Sequence, residues 1–353
     1  MNRNQNRLEV LYRVHNAIVH YWGVGGLVYS VKNRVYLLPD LVDPQPVLLG
    51  SIPWRSFQFM CHIRLADRAL KGSILQVHEA GHQALLVCNG HSWWSITQGG
   101  DAELIPSFSR TRPMNRAICT STTGVTFVAD YLANAERKEP IRIYRSKDLR
   151  SFEIAWEFPP GDIRHIHALV PDPEDRGRIW VLTGDLDPEC RILYTGDDFG
   201  SIHVFLSDGQ RTRATDIVIR DGNLLWGMDS PMETSYLLSS NKKDPGAVKI
   251  IKELPGPVYY MSRNKAGAVY FGTTAERGLG VKDQFGHIFG SLPDQSWEEI
   301  VRCRNDPFPQ RGIFYFPRGI LPDNYLVYSQ RALFPQEGQM TIARDRAWAG
   351  NAQ

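Results

Sequence analysis

The chain reads as an all-β protein, a seven-bladed β-propeller, on three observations. Amphipathic helical periodicity is nearly absent. Short β-rich runs separated by Gly, Pro, Asp and Asn fill the sequence. Those runs recur as a four-strand unit of roughly 45–50 residues. A chain of 353 residues would otherwise suggest two or three domains. A propeller needs no such division, because each blade builds its core with its neighbours, so 1–353 is expected to form a single domain.

In chain order, the first blade is read as GLVYSV, RVYLLPD, PVLLGS and FQFMCHI, beginning at Gly26. The second is SILQVHE, ALLVCNGH, WWSITQ and AELIPSF, and the third is RAICTS, VTFVADY, IRIYRSKD and FEIAWEF. The fourth is the clearest: HIHALVPD, IWVLTGD, RILYTGDD and SIHVFLS. The fifth is TDIVIRD, NLLWGMD, SYLLSSN and VKIIKEL, and the sixth is VYYMSRN, AVYFGTTAE, HIFGSLPD and WEEIVRC. The seventh offers IFYFPRG, YLVYSQR and MTIARDR but lacks a fourth strand, which RLEVLYRV near the N-terminus can supply. Leu8–Val14 is thus expected to pair with Thr341–Arg346, closing the ring and removing sheet edges that would template aggregation. A six-bladed ring is the alternative, with one flanking unit as a decoration.

Composition excludes several functions. Apolar residues make up 42% and charged residues 22%, ordinary values for a globular protein. Net charge is +2 with no basic stripe, so nucleic acid is not an expected partner. No apolar run suits a signal-peptide core or a membrane span, so no membrane partner is expected. Cys61, Cys88, Cys119, Cys190 and Cys303 are an odd number without a CxxC pair, and they read as small core side chains in a reduced, cytoplasmic protein.

Three turns between third and fourth strands resemble degraded Asp-boxes, the Ser-x-Asp-x-Gly-x-x-Trp hairpins of sialidase-like (BNR-repeat) propellers. They are Ser146-Lys147-Asp148 with Phe152, Thr195-Gly196-Asp197-Asp198 with Gly200, and Ser291 with Asp294 and Trp297. Asp148, Asp198 and Asp294 are expected to be structural, capping backbone N–H groups of the turn. The stretch from Arg116 to Glu276 also resembles uncharacterised bacterial and archaeal BNR-like proteins. Asn134-Ala135-Glu136-Arg137, Arg164-His165-Ile166-His167, Thr183-Gly184-Asp185 and Trp226-Gly227-Met228-Asp229-Ser230-Pro231 carry that resemblance. The Phe-Arg-Ile-Pro motif of true sialidases is missing, so sialic-acid hydrolysis is not implied.

In a propeller the start of each innermost strand and the exit of each second strand share one face, around the mouth of the channel, where a concave site is expected. Second-strand exits read as Asp40, His91, Asp130, Asp185, Asp229, Glu276 and Gln330-Arg331; first-strand starts read as Arg116, Arg164-His165, Arg213 with Gln210, and Arg311. From these, Asp130, His165, Asp185, Asp229 and Glu276 are candidate catalytic residues. Paired carboxylates can serve as acid with base or nucleophile, and His165 or Tyr131 as the base of a lyase. Arg116, Arg213, Gln210, Tyr131 and Trp226 are candidate substrate-binding residues, the arginines for an anionic group and the aromatics, with Tyr259 and Tyr260, for stacking.

His165 and His167 would share a strand face. That suits metal ligation, or one imidazole in the mouth with the other buried between blades; the second reading is preferred. His78-Glu79-Ala80-Gly81-His82 resembles the zincin HExxH motif, but that motif needs a helix, and a β-hairpin here would merely expose both histidines. No metal or cofactor is required, though a divalent metal is compatible. The expected function is a hydrolase or lyase acting on an acidic saccharide or other small anion. The alternative is a non-catalytic propeller that binds a glycan or protein.

Overall fold

The computed structural model describes residues 7–347 apart from 55–60, 62–66, 68–72, 81–83, 91, 98, 107, 109–112, 294 and 308–310. Seven sheets, antiparallel but for one short added strand, follow one another along the chain, making a seven-bladed propeller and excluding the six-bladed alternative. Blade 1 is Ala17–Gly23, Gly26–Val31, Arg34–Leu38 and Val47–Ser51, from the inside outward. This corrects the first-blade reading by one strand: AIVHYWG is the inner strand, and most of FQFMCHI lies outside the described residues. Blades 2 to 6 keep the expected phase, with inner strands Gln76–Ala80, Ile118–Thr120, Ile166–Pro171, Val218–Arg220 and Val258–Asn264. Blade 6 carries two short extra strands, Ile320–Leu321 and Leu333–Phe334, on its two edges.

Blade 7 is Ile313–Tyr315, Tyr325–Arg331 and Gln339–Asp345, completed on the outside by Leu8–His15. The register runs from Leu8 opposite Asp345 to His15 opposite Gln339, as the closure argument expects.

Strand alternation builds the cores between blades. In Ile179–Thr183, Ile179 and Val181 pack with Phe127 and Ile143 of blade 3, while Trp180 and Leu182 pack with Ile217 and Leu238 of blade 5. Each strand so serves two interfaces, and the core is a ring of such interfaces.

The outer turns form with local polar caps. The Asp148 carboxylate accepts from the backbone N–H of Arg150 at 2.8 Å and of Ser151 at 2.9 Å, and Ser146 Oγ accepts from Leu149 N at 2.9 Å. In the next blade the capping residue is Asp197, not Asp198: Asp197 accepts from Ser201 N at 2.9 Å and Thr195 Oγ1 at 2.8 Å. Asp198, at φ 54°, turns away and accepts from Ser121 and Thr123 of blade 3. The expectation for Asp294 falls outside the described residues.

The inner strands all begin at one end of the channel, the upper mouth, and end at the lower mouth. Second strands return to the upper mouth, where backbone bonds tie them to the next inner strand: Ile166 N donates to Asp130 O at 3.2 Å and Val258 N to Met228 O at 2.9 Å.

Candidate active site

At the upper mouth of blades 4 and 5, two imidazoles converge on one carboxylate. His165 precedes the inner strand of blade 4, and His167 sits at a β-bulge in it, where the register skips between Ile166 and Ala168. The bulge leaves His167 without a ladder partner, and its ring lies on the side occupied by His165, as the one-residue spacing implies. Their Nε2 atoms are 2.9 Å apart, and each lies 3.4 Å from a different oxygen of Asp185. Both rings are buried. Their outer nitrogens face backbone carbonyls, His167 Nδ1 to Ala214 O at 2.9 Å and His165 Nδ1 to Leu132 O at 3.4 Å. A carbonyl only accepts, so each Nδ1 carries the hydrogen and each Nε2 is left with a lone pair. Two lone pairs opposed at 2.9 Å, beside an anion, form a place with high affinity for a proton or a cation.

Asp185 is held from the other side by two arginines, Arg164 Nη1 at 2.8 Å and Arg213 Nη2 at 3.0 Å. Gln210 Nε2 and Arg213 Nη1 both donate to the Asp185 carbonyl at 3.1 Å, fixing the loop after the second strand. Burial alone would raise the Asp185 carboxyl; hydrogen bonds and charge from His165 and His167 outweigh it and hold the group well below the usual carboxylate range. Burial is also the largest influence on His165 and lowers its proton affinity, against the opposing pull of Asp185.

Next to this group lies Asp229, 3.6 Å from Arg213 Nε, with Oδ1 buried and without a hydrogen-bond partner among the described residues. Burial pushes its carboxyl up to about 7, Arg213 and His167 oppose that, and Glu276 and Asp185 add to it. Glu276 is raised by burial too; it accepts from Thr274 Oγ1 at 2.7 Å and meets Arg311 Nη1 at 3.4 Å. Tyr131 stacks on His165 with ring centroids 4.2 Å apart. The group opens to solvent on the side of Arg164 and Arg311, whose side chains are 34% and 50% exposed.

The structure therefore unites His165, Asp185, Arg213, Asp229, Glu276, Tyr131 and Gln210, as expected. It does not bring in Arg116, Asp130 or Trp226. Arg116 lies deep in the channel, salt-bridged to Asp216 at 2.7 Å and donating to Met261 O, because its residue bridges to Ala168 well below the start of that inner strand. Asp130 turns into its own blade, where it accepts from Arg142 N at 3.2 Å and Tyr144 Oη at 3.4 Å. Trp226 is fully buried core, its indole N–H donated to Arg211 O at 2.7 Å. Asp40 follows the third strand of blade 1, a consequence of the phase slip there, and His91 lies outside the described residues.

Tyr260 is buried in the channel near Arg116, and Tyr259 lies under Arg311. His78 sits on a strand, as the rejection of a helical zincin motif requires. It is not exposed by a turn but half-buried, bonded to Thr120 Oγ1 at 2.8 Å.

His167 and Arg164 complete the centre: the one-residue spacing of the histidines is visible in the sequence, but their convergence with Arg164 on Asp185 depends on strand pairing that no local pattern marks. His165, His167 and Asp185 are also the group among the described residues whose ligand atoms converge within 4.8 Å, as a metal site would require.

No family model matches this sequence, and no curated protein is similar to it. Solved structures are similar in fold. Virginiamycin B lyase from Staphylococcus aureus aligns over 96% of this chain and 99% of its own, with a TM-score of 0.58 at 8% identity. A streptogramin B lyase aligns over 95% and 99%, TM-score 0.59, at 9% identity. The CNH domain of AfRom2 aligns over 96% and 98%, TM-score 0.52, at 10% identity. At such identity the likeness is one of fold. These lyase propellers overturn the sialidase-like resemblance read from the turns. Ser, Thr and Asp caps arise wherever a tight turn must satisfy its N–H groups, so those residues mark the hairpin and not a lineage.

Proposed function

We propose that this protein is a propeller enzyme that transfers protons on a small anionic substrate at the upper mouth, by elimination or hydrolysis. The observation that carries this reading is the imidazole pair, whose facing Nε2 atoms lie over Asp185 and can share one proton taken from the substrate or water. Such a pair is a base able to take a proton from carbon or water, with Asp185 stabilising the imidazolium that results. Asp229, with its carboxyl near 7, keeps a proton to return and so suits the acid. Arg311 is the most exposed of the three nearby arginines and suits the anionic group of the substrate, while Arg164 and Arg213 remain on Asp185. The acidic saccharide expected from the sequence is one member of this class. The fold supports the reading, since propellers of this shape include lyases; function itself rests on the site.

The test is turnover of a panel of uronate oligosaccharides, lactones and small carboxylates, followed by NMR with and without chelator. His165→Ala and Asp185→Asn are expected to lower the rate by about 10²–10⁴-fold with the fold intact. Variants that keep the full rate would rule the centre out. Loss of the wild-type rate on chelation alone would assign a cation, not a proton, to the space between the imidazoles.

A further inference from the structure

The lower mouth holds a second polar site that the imidazole centre does not use. A cavity of about 380 Å³ opens there among the ends of the inner strands. Its walls are largely apolar, among them Trp22, Leu169, Val218, Ile219 and Ile320. Its polar groups include Arg116, Asp216, Arg318, His78 and Ser262, with Glu79, Thr120 and Arg263.

The charges inside do not balance. Arg116 Nε meets Asp216 at 2.7 Å and Nη2 donates to Met261 O at 2.9 Å, but Nη1 is buried without a partner among the described residues. Ser262 Oγ is likewise buried and unpartnered. Asp216 is already engaged, accepting from the N–H groups of Ile217 and Met261 at 2.9 Å each. Arg318 donates to Ile118 O, Asn115 O and His78 Nδ1, with no carboxylate among these partners. Burial, joined by Arg116, lowers its proton affinity to about 9, still well above neutral pH.

His78 is kept neutral by burial and by Arg318, and burial raises the Cys119 thiol to about 12. At the rim Glu79 and Arg263 contribute one charge of each sign. The interior thus holds two guanidinium charges against one carboxylate. An unneutralised buried cation is costly, and a buried N–H without an acceptor adds to the cost. Both are relieved by a bound anion.

We infer that this cavity binds one small amphipathic monoanion, a carboxylate on an apolar body, with its head on Arg116 Nη1 and Ser262 Oγ. The apolar walls take the body, and the excess arginine charge selects the anion over a neutral or cationic molecule of the same shape.

Isothermal titration of the full chain with octanoate, octan-1-ol and octylamine tests this. One octanoate per chain is expected, bound at least about tenfold more tightly than either other molecule. Arg116→Met should weaken octanoate by about tenfold or more. Should Arg116→Met fail to fold, Ser262→Ala gives a smaller loss in the same direction, and Val170→Trp, which fills the cavity from its wall, abolishes binding. Equal binding of octanol, or octanoate binding unaffected by Val170→Trp, overturns the proposal. Octanoate affinity is expected to be unchanged in His165→Ala. Loss of binding there would move the ligand to the upper mouth and overturn this proposal while leaving the enzymatic reading standing.

Discussion

At the scale of single residues, Asp229 makes stability depend on pH in a definite direction. Its carboxyl takes up a proton at about 7 in the folded chain against 3.8 as a free side chain. Below 3.8 both states are protonated and the contribution to stability is complete. Between the two values the unfolded chain has released the proton and the folded chain has not, so stability falls as pH rises and levels off above 7. The wild type is therefore expected to lose on the order of 2 kcal/mol between pH ~5 and ~8 in urea denaturation. Asp229→Asn, neutral throughout, should fall less steeply than the wild type there. A wild-type profile that rises with pH would show that Asp229 is ionised in the folded protein. Asp185 acts in the opposite sense and in a lower window, because its depressed carboxyl adds stability that is lost only as pH falls below the ordinary carboxylate range.

Sequence position revealed Asp185, Arg213, Asp229 and Glu276 because blade topology dictates which mouth a strand exit visits. It could not reveal that Asp130 turns back into its own blade, since the turn of a side chain depends on neighbours such as Tyr144 that share no local pattern with it.

At the scale of elements, the outer turns illustrate both what a short motif can give and where it slips. A Ser or Thr followed two residues later by Asp forms the cap in both described cases, through Asp148 and Asp197. Adjacent aspartates at 197 and 198 are interchangeable in sequence, and only the positive φ of Asp198 and Phe199 settles which one faces the turn. Replacing Asp148 or Asp197 with Ala is expected to cost about 1 kcal/mol through lost hydrogen bonds. The urea midpoint should fall with the slope unchanged, and turnover should be unaffected, because these turns lie between third and fourth strands. A loss of turnover at unchanged midpoint would contradict the structural role. For Asp148 the carboxyl is drawn down to about 2, mainly by the N–H groups of Ser151 and Arg150, so its contribution is present above pH ~4 and disappears as pH falls through the folded value.

The phase slip in blade 1 has a similar origin. AIVHYWG carries His20 in an otherwise apolar strand, at a bulge between Val19 and Tyr21, and so breaks the alternation that marks its neighbours. His20 bonds Ser30 Oγ at 2.8 Å inside the blade, a partner that becomes visible only when the two strands are paired.

At the scale of the whole molecule, the ring depends on one strand from each end of the chain. Leu8–His15 covers the outer edge of Gln339–Asp345, and Tyr12 and Val14 pack onto the core between blades 7 and 1. The seam also carries a polar clasp. Asp345, with no exposed surface, accepts from Arg7 Nε at 2.9 Å, Arg7 Nη2 at 2.8 Å and Tyr270 Oη of blade 6 at 3.0 Å. Two perturbations separate the roles of strand and clasp. Arg7→Ala leaves a buried carboxylate held by Tyr270 Oη and the Ala347 N–H without a counter-charge from Arg7, a change that typically costs about 3–5 kcal/mol. The sheet edge remains covered, so the variant is expected to melt earlier yet stay monodisperse in size-exclusion chromatography. Deleting residues 1–15 removes the strand itself, baring an unpaired edge and the apolar surface beneath it. That variant is expected to associate into larger species even below its unfolding midpoint. Asp345→Asn combined with Arg7→Gln should recover much of the loss from Arg7→Ala, because a neutral amide pair leaves no charge to strand in the core. If the truncated chain instead runs as a monomer and unfolds at the wild-type midpoint, the seam does not hold the ring, and closure must come from the contacts between the inner strands alone.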